Sequence, residues 1–258
     1  MNRLEAHFTN KPKRNLAIYF SAGYPSIESI EPIILTLEQN GADIIEIGMA
    51  FSDPLADGPV IQNSGTLALA NGITTVKIFN ELSTIRQKTD LPLVLMGYLN
   101  PVLQFGFEEF LKQASLTGID GLILPDLPLE IFERDYKTLY EFYNIFPIFL
   151  ITPQTPDDRI HHIDKLSKGF IYAVSSSSTT GSSEGFSLSH IRYFERLQSL
   201  NLSNPLMIGF GISNQKTLET VFDNASGAII GSAFIKNLQP SAKDYGITQF
   251  MNQLLNEQ

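Results

Sequence analysis

The chain has 258 residues, of which 43% are hydrophobic, and it carries a formal net charge of −9. This length and apolar content suffice for a full hydrophobic core, while the acidic balance argues against a nucleic-acid surface, which needs a basic stripe to replace phosphate counterions. The one basic cluster, "KPKR" at residues 11–14, is interpreted as a solvated loop before the first strand.

Several kinds of site lack the residue types that they require. The sequence contains no cysteine, so disulfides and thiolate chemistry are excluded. Its four histidines lack the spacing of a metal motif, and we predict no metal site. The polar N-terminal segment and the lack of an apolar run of membrane length predict a cytoplasmic enzyme without membrane contact.

Short apolar runs recur along the chain and predict eight β-strands. They cover residues 16–23, 42–49, 91–98, 121–128, 145–152, 169–176, 205–211 and 227–233. Amphipathic segments lie between them, and several of these end at glycine, as helices commonly do; they include residues 27–41, 107–118, 129–143 and 215–227. This alternation predicts a parallel sheet with helical crossovers.

Eight strands with intervening helices in about 250 residues match the size of a TIM barrel. We predict an α/β fold in which residues 1–258 form a single (β/α)8 TIM-barrel domain with an extra N-terminal helix. The serine-rich segment 175–185 is interpreted as a loop, because an apolar strand precedes it and a helical pattern follows. A doubly wound sheet stays open as the alternative, although "FSAGYPS" lacks the glycine pattern of a Rossmann site.

The loops after the last three predicted strands are rich in glycine and hydroxyl residues. TIM barrels carry their active site at the carboxyl ends of the strands, and phosphate groups bind near strands seven and eight. Here "GFGIS" follows the seventh strand and "GSAF" the eighth. Their backbone N–H groups, together with a short helix after the eighth strand, predict a site for a phosphorylated ligand.

Two carboxylic acids stand close together around the second predicted strand. Glu46 interrupts its apolar run, and two interpretations stay open: a buried carboxylate paired with a cation, or an acid–base group in the barrel lumen whose pKa is raised by burial. Asp57 lies in "PLADGP", which is typical of a turn, but this loop is also placed to fold over the same cavity. The second interpretation of each residue predicts an acid–base pair.

The segment "IEIGMAFSDPLADGPVIQ" resembles the signature of the tryptophan synthase alpha chain family. The resemblance extends over essentially the whole chain through "GYP", "MGYLNP", "PDLP", "TTG", "GFGIS" and "GSAF". It implies a lyase of tryptophan biosynthesis that cleaves indole-3-glycerol phosphate by a retro-aldol reaction, giving indole and glyceraldehyde 3-phosphate. It also implies that this chain uses no cofactor and no metal.

The same resemblance implies roles for individual residues. Glu46 is the expected proton-shuttling glutamate, and Asp57 is the expected acceptor of a hydrogen bond from the indole N–H. Core packing or turn geometry is the alternative for each of the implied substrate-binding residues, which are Tyr19, Tyr172, Thr180, Gly181, Phe210, Gly211, Gly231 and Ser232. Ala50, Ser178 and Thr179 depart from the family pattern and bear on the rigidity of the loops after strands two and six.

A partner is implied as well. Chains of this family assemble with a pyridoxal-phosphate β chain, usually as an α2β2 complex, and pass indole to it through a tunnel. The implied contact face includes Asp53, Pro54, Asn100 and Pro101, and β-chain binding would act on Asp57 through the loop that it shares with Asp53. Two alternatives stay open: a stand-alone indole-3-glycerol-phosphate lyase, and a mainly activating, non-catalytic subunit.

Overall fold

The structure is a computed structural model and describes residues 1–175 and 185–255. Within this part of the chain, nine β-strands form one parallel sheet in the order β5-β4-β3-β2-β1-β9-β8-β7-β6. The strands are β1 (Asn15–Ser21), β2 (Ile44–Gly48), β3 (Leu93–Met96), β4 (Gly121–Ile123), β5 (Phe146–Ile148), β6 (Leu150–Ile151), β7 (Ile171–Val174), β8 (Leu206–Gly209) and β9 (Gly227–Ile230).

The sheet closes into a barrel at a single residue. β5 and β6 stand at opposite ends of the strand order, yet only Phe149 separates them along the chain. The Phe149 carbonyl accepts a hydrogen bond of 3.0 Å from the Tyr172 amide on β7. The predicted TIM barrel is therefore confirmed, and the doubly wound alternative is wrong.

One predicted strand differs from the structure. The run at 145–152 is divided into β5 and β6, because its first half pairs with β4 and its second half pairs with β7. The sheet thus has nine strands rather than the eight that were predicted, because one predicted run forms two of them.

Helices surround the barrel on its outer side. In the described residues they are α1 (Arg3–Asn10), α2 (Ile30–Gln39), α3 (Pro59–Ala70), α4 (Thr75–Leu82), α5 (Leu99–Phe105), α6 (Phe107–Leu116), α7 (Leu129–Ile131), α8 (Lys137–Tyr143), α9 (Asp157–Leu166), α10 (Leu188–Ser199), α11 (Gln215–Asn224), α12 (Ser232–Asn237) and α13 (Ile247–Leu255). A π-helical segment (Phe132–Tyr136) joins α7 to α8, and short 3-10 helices span Ile27–Ser29 and Ile85–Gln87. None of these described helices has the length and apolarity to cross a membrane.

The strands alternate between two apolar clusters. Ile45 and Ile47 on β2 belong to the large core between the sheet and the helices, whereas Ile44 belongs to the smaller cluster in the barrel lumen. Successive side chains of a strand point to opposite faces. Glu46 therefore points into the lumen, between two residues that point outward.

The predicted N-terminal helix closes the end of the barrel at which the strands begin. The Asn2 side chain caps α1 by accepting a hydrogen bond from the Leu4 amide, and its Nδ2 donates to the carbonyls of Asp120 and Asn144. Leu4 and Phe8 belong to the lumen cluster. This arrangement fills the lumen at that end of the barrel with apolar side chains.

Candidate active site

Glu46 lies on β2, and its side chain is buried in the lumen with 2% exposure. Neither carboxyl oxygen has a hydrogen-bond partner among the described residues. The interpretation as a carboxylate paired with a cation is therefore wrong. Burial, followed by the negative charge of Asp57, raises the pKa of Glu46 to about 8.

Asp57 lies on the loop between β2 and α3 and is partly buried. Burial raises the pKa of its carboxyl group to about 6, and a hydrogen bond from Tyr98 opposes this rise. The charge of Asp57 also raises the pKa of Glu46, so the two acids that the sequence singled out interact electrostatically.

Tyr98 is the site residue that the sequence analysis missed. Its hydroxyl donates a 3.0 Å hydrogen bond to Oδ2 of Asp57 and accepts one of 3.0 Å from the amide of Ala56. Its ring packs against Phe51 with 5.1 Å between the ring centroids. The available signal was its position at the end of the third predicted strand, which is where TIM barrels carry their functional side chains.

Tyr19 on β1 and Tyr172 on β7 are both buried, and both interact electrostatically with this acidic pair. Tyr19 stands opposite Glu46 in the β1–β2 register. Burial, and then the charge of Asp57, raises the pKa of Tyr19, while burial and then Glu46 raise that of Tyr172. A Cβ at Gly48 would collide with the Tyr19 hydroxyl, and one at Gly209 with the Tyr172 hydroxyl, so both rings need a neighbouring glycine.

The predicted phosphate loops follow β8 and β9. Phe210 and Gly211 adopt left-handed backbone conformations with φ of 70° and 76°, and Ser175 Oγ donates a 2.8 Å hydrogen bond to the Phe210 carbonyl. This bond holds a conformation that is uncommon for a non-glycine residue. The Phe210 ring lies edge-on to Tyr172 at 6.4 Å.

The loop after β9 completes the described part of this region. Gly231 lies beside Tyr19, since a Cβ at this glycine would be 3.3 Å from Cδ1 of that ring. Ser232 is the first residue of α12. The predicted Thr180 and Gly181 lie outside the described residues.

The four predicted partner-contact residues lie at the carboxyl end of the strands. Asp53 and Pro54 are on the loop after β2, while Asn100 and Pro101 are in α5 after β3. Two leucines beside them are exposed: Leu55 by 94% and Leu103 by 46%. The structure thus brings these residues to the same end of the barrel as Asp57.

A metal site would need several ligand side chains close together. The described ranges contain no group of three or more histidine, aspartate or glutamate side chains that could hold a metal ion. What the lumen offers instead is one protonated and one ionised carboxyl group near neutral pH, as the pKa values of Glu46 and Asp57 indicate. Such a pair supports acid–base chemistry on a ligand placed between them.

Comparison with known proteins relates this site to a family. A family model described as "Tryptophan synthase alpha chain" matches residues 6–257. The chain is 51% identical over 254 residues to the tryptophan synthase alpha chain of Flavobacterium psychrophilum, covering 98% of this chain and 100% of that one.

Solved structures are similar as well. The tryptophan synthase subunit alpha from Legionella pneumophila matches with a TM-score of 0.88 and 30% identity, over 98% of this chain and 97% of that one. Tryptophan synthase from M. tuberculosis in an aminoacrylate-bound form matches with a TM-score of 0.85 and 25% identity, over 98% of both chains.

Proposed function

Because this chain belongs to the tryptophan synthase alpha chain family and so is a lyase that cleaves indole-3-glycerol phosphate in tryptophan biosynthesis, we propose that Glu46 and Asp57 are its catalytic residues. One observation carries this proposal. Glu46 is buried with both carboxyl oxygens unpartnered in the described structure. A buried polar group without a partner costs free energy, so its presence calls for an explanation, and a reacting substrate atom supplies one.

The protonation states suit the reaction. With a pKa of about 8, Glu46 is mostly protonated at neutral pH and donates its proton to C3 of the indole ring. The ring then accepts the electrons of the breaking carbon–carbon bond. The Glu46 carboxylate takes the proton of the glycerol hydroxyl as that oxygen becomes the aldehyde of glyceraldehyde 3-phosphate, so the acid is restored at the end of the cleavage.

Asp57 stabilises the charge that develops in this step. With a pKa of about 6 it is mostly ionised at neutral pH, and it accepts a hydrogen bond from the indole N–H as the ring becomes cationic. A charge placed in advance near a developing opposite charge lowers the barrier without reorganisation. Environments that separate the pKa values of two carboxyl groups are typical of sites in which one acts as an acid and the other as an anion.

The remaining residues bind the two ends of the substrate in this proposal. Tyr19, Tyr172 and Phe210 form the walls against which the indole ring packs. The phosphate is held by backbone N–H groups of a set that includes Gly181, Gly211, Gly231 and Ser232, and Thr180 contacts Asp57. The inferences for Thr180 and Gly181 rest on the family resemblance alone.

The family to which the chain belongs works with a beta chain. We infer an α2β2 complex whose contact face on this chain contains Asp53, Pro54, Asn100 and Pro101, and this proposal is supported by the exposed Leu55 beside them. This chain needs no cofactor of its own, because Glu46 makes both proton transfers, and pyridoxal phosphate is bound by the β chain. The biosynthetic role of the family supports action in the cytoplasm.

The direct test measures indole released from indole-3-glycerol phosphate by the purified chain, alone and with a β chain plus serine. Loss of a positioned acid–base group typically costs about 10²–10⁴-fold in rate, so we expect Glu46→Gln and Asp57→Asn to lose at least 100-fold, roughly, under both conditions. Glu195→Gln and Asp158→Asn, which change exposed carboxylates, serve as matched controls. Turnover close to wild type in either lumen variant would contradict the assignment.

A further inference from the structure

The segment "PDLP" after β4 contains a carboxylate to which the proposed function gives no role. This residue, Asp126, is exposed and lies on the loop between β4 and α7. Its Oδ1 and Oδ2 accept hydrogen bonds of 2.8 and 3.1 Å from the backbone amide of Leu99. None of the ion pairs in the described residues involves Asp126. Its carboxylate therefore contacts an amide of the neighbouring loop rather than a cation.

The amide of Leu99 begins a helix that has no cap of its own. Leu99 is the first residue of α5, and Tyr98 occupies the N-cap position without forming a side-chain cap hydrogen bond. The first N–H groups of a helix have no partner inside the helix, and a carboxylate is a strong acceptor for them. Asp126 thus supplies from another loop the cap that the side chain of Tyr98 does not provide.

The bond to Leu99 also restrains Tyr98, the preceding residue. Tyr98 is 6% exposed, and its hydroxyl donates to Asp57 and accepts from the amide of Ala56, at 3.0 Å in each case. The hydroxyl lies at the far end of a rigid ring, so a small rotation of the backbone at Tyr98 displaces it. Hydrogen bonds weaken steeply with poor distance and angle. The contacts therefore form one path from Asp126 through Leu99 and Tyr98 to Asp57.

We propose that Asp126 is a positioning residue of the active site, because it holds the backbone from which Tyr98 reaches Asp57. This inference rests on the proposed function, in which the ionised Asp57 stabilises the indole cation. Asp126 acts through Tyr98 and not on the substrate. The segments "PDLP", "MGYLNP" and "PLADGP", which lie after three neighbouring strands, then belong to one arrangement around the carboxyl group of Asp57.

Position and charge of Asp126 have opposite effects on Asp57, and this makes the proposal testable. Loss of the charge alone would lower the pKa of Asp57, since a nearby like charge disfavours ionisation. It would also strengthen the donor, because burial, then the charge of Asp57 and more weakly that of Asp126 raise the pKa of Tyr98. Loss of position instead weakens the hydrogen bond from Tyr98 that lowers the pKa of Asp57, so this pKa rises.

The test measures the pKa of the Asp57 carboxyl group in the full chain by carbon-13 NMR titration. Asp126→Ala removes both acceptor oxygens, and we expect the pKa of Asp57 to rise by about half a unit, against about one unit when Tyr98→Phe removes the hydrogen bond itself. Asp126→Asn removes the charge but keeps an acceptor, and asparagine caps helices as well as aspartate does, so the pKa should not rise. An unchanged or lower pKa in Asp126→Ala, or an equal rise in both variants, would overturn the proposal.

A double variant tests whether the effect passes through Tyr98. In Tyr98→Phe the hydroxyl is already absent, so adding Asp126→Ala should not raise the pKa of Asp57 further. The same rise with and without the hydroxyl would contradict the proposed path. Two controls should leave this pKa unchanged: Thr74→Ala, which removes the side-chain cap of α4, and Asp158→Ala, which removes an exposed carboxylate.

This result is separate from the test of the proposed function, because the pKa of Asp57 is measured directly and not through turnover. A normal rate of indole release in Asp57→Asn would contradict the catalytic role of Asp57. An absent shift in Asp126→Ala would contradict only the positioning by Asp126. With both proposals correct, the fall of kcat/KM at acid pH moves to higher pH by the same half unit, roughly, in Asp126→Ala.

Discussion

Glu46 and Asp57 have the same functional group but opposite protonation states at neutral pH. The pKa of Glu46 is about 8 and that of Asp57 about 6, so the productive combination of a protonated Glu46 and an ionised Asp57 is most populated near pH 7. Indole release is therefore expected to fall on both sides of this pH. The fall in activity at acid pH follows the protonation of Asp57, and the fall at alkaline pH follows the ionisation of Glu46.

Tyr98 sets the position of the acid limb. Its hydroxyl donates a hydrogen bond to Asp57 that lowers the pKa of this carboxyl group. We expect Tyr98→Phe to raise that pKa and to shift the acid limb of kcat/KM by about one unit to higher pH, since a hydrogen bond to a charged group contributes about 1.5–3 kcal/mol. The control is Tyr143→Phe, whose hydroxyl contacts the exposed Glu108. An acid limb that stays in place would mean that Tyr98 does not act on Asp57.

Glu46 should also make the stability of the protein depend on pH. Burial raises its pKa in the folded state from 4.5 to about 8, so the folded state binds more protons than the unfolded state between these values. The contribution of Glu46 to the free energy of unfolding is fully present below pH 4.5. It falls as pH rises toward 8, by roughly 1 kcal/mol per pH unit.

The isosteric Glu46→Gln variant removes this dependence. Urea denaturation should show the variant gaining stability relative to wild type from pH 5 to pH 8, with no further gain at higher pH. Glu195→Gln, at an exposed position, should follow wild type throughout. A difference between Glu46→Gln and wild type that is the same at pH 5 and pH 8 would show that Glu46 is not buried in its neutral form.

The sequence identified the two acids by residue type and position, but it did not identify the groups that adjust them. Glu46 stands out because a carboxylate interrupts an apolar strand. Tyr98 is an ordinary aromatic residue at a strand end, and only the path of the Ala56–Asp57 segment shows that the two loops meet. The left-handed Phe210 was equally hidden, because its stabilising contact comes from Ser175, which directly follows β7.

Among the secondary-structure elements, the strands were predicted better than their pairing. Period and composition predicted every strand region because parallel strands are nearly continuous apolar runs. The division of the fifth run at Phe149 depends on which neighbour each half bonds to, and this is a tertiary property. The π-helical segment (Phe132–Tyr136) inside the predicted helix 129–143 likewise has no signal in the apolar pattern.

Helix α1 should contribute to the stability of the barrel. Leu4 has 0% exposure, and its Cδ1 lies where side chains at Gly121 and Gly169 would otherwise extend, 3.1 and 3.2 Å from their Cβ positions. Leu4→Ala is expected to lower the free energy of unfolding by about 2–5 kcal/mol in urea denaturation. The control Leu116→Ala, with 72% exposure, should change it by less than about 0.5 kcal/mol. Equal effects of the two substitutions would mean that the packing of α1 does not stabilise the barrel.

On the scale of the whole molecule, the carboxyl end of the strands carries an exposed apolar side chain beside the proposed site. Leu55 is 94% exposed and lies on the same loop as Asp53, Pro54 and Asp57. Exposed apolar residues next to a functional site are typical of an interaction surface. This supports the proposed β-chain contact face.

Leu55→Ser tests this face without touching the core. We expect about a tenfold rise in the Kd for the β chain, measured by calorimetry, which corresponds to a loss of about 1.4 kcal/mol in binding free energy. Leu116→Ser, on α6 and 72% exposed, is the matched control and should bind as wild type. Unchanged affinity in Leu55→Ser would show that this leucine is not part of the contact face.

The pairing of β1 with β9 has a consequence for folding of the chain during its synthesis on the ribosome. One edge of β1 bonds to β2, which follows directly, but its other edge bonds only to β9, which begins at Gly227. At translation rates of about 5–20 residues per second, the later partner is made roughly 10–40 s after β1. During that interval the nascent chain carries an unsatisfied strand edge of the kind that promotes aggregation. We therefore expect the nascent chain to be most prone to aggregation until β9 has been made.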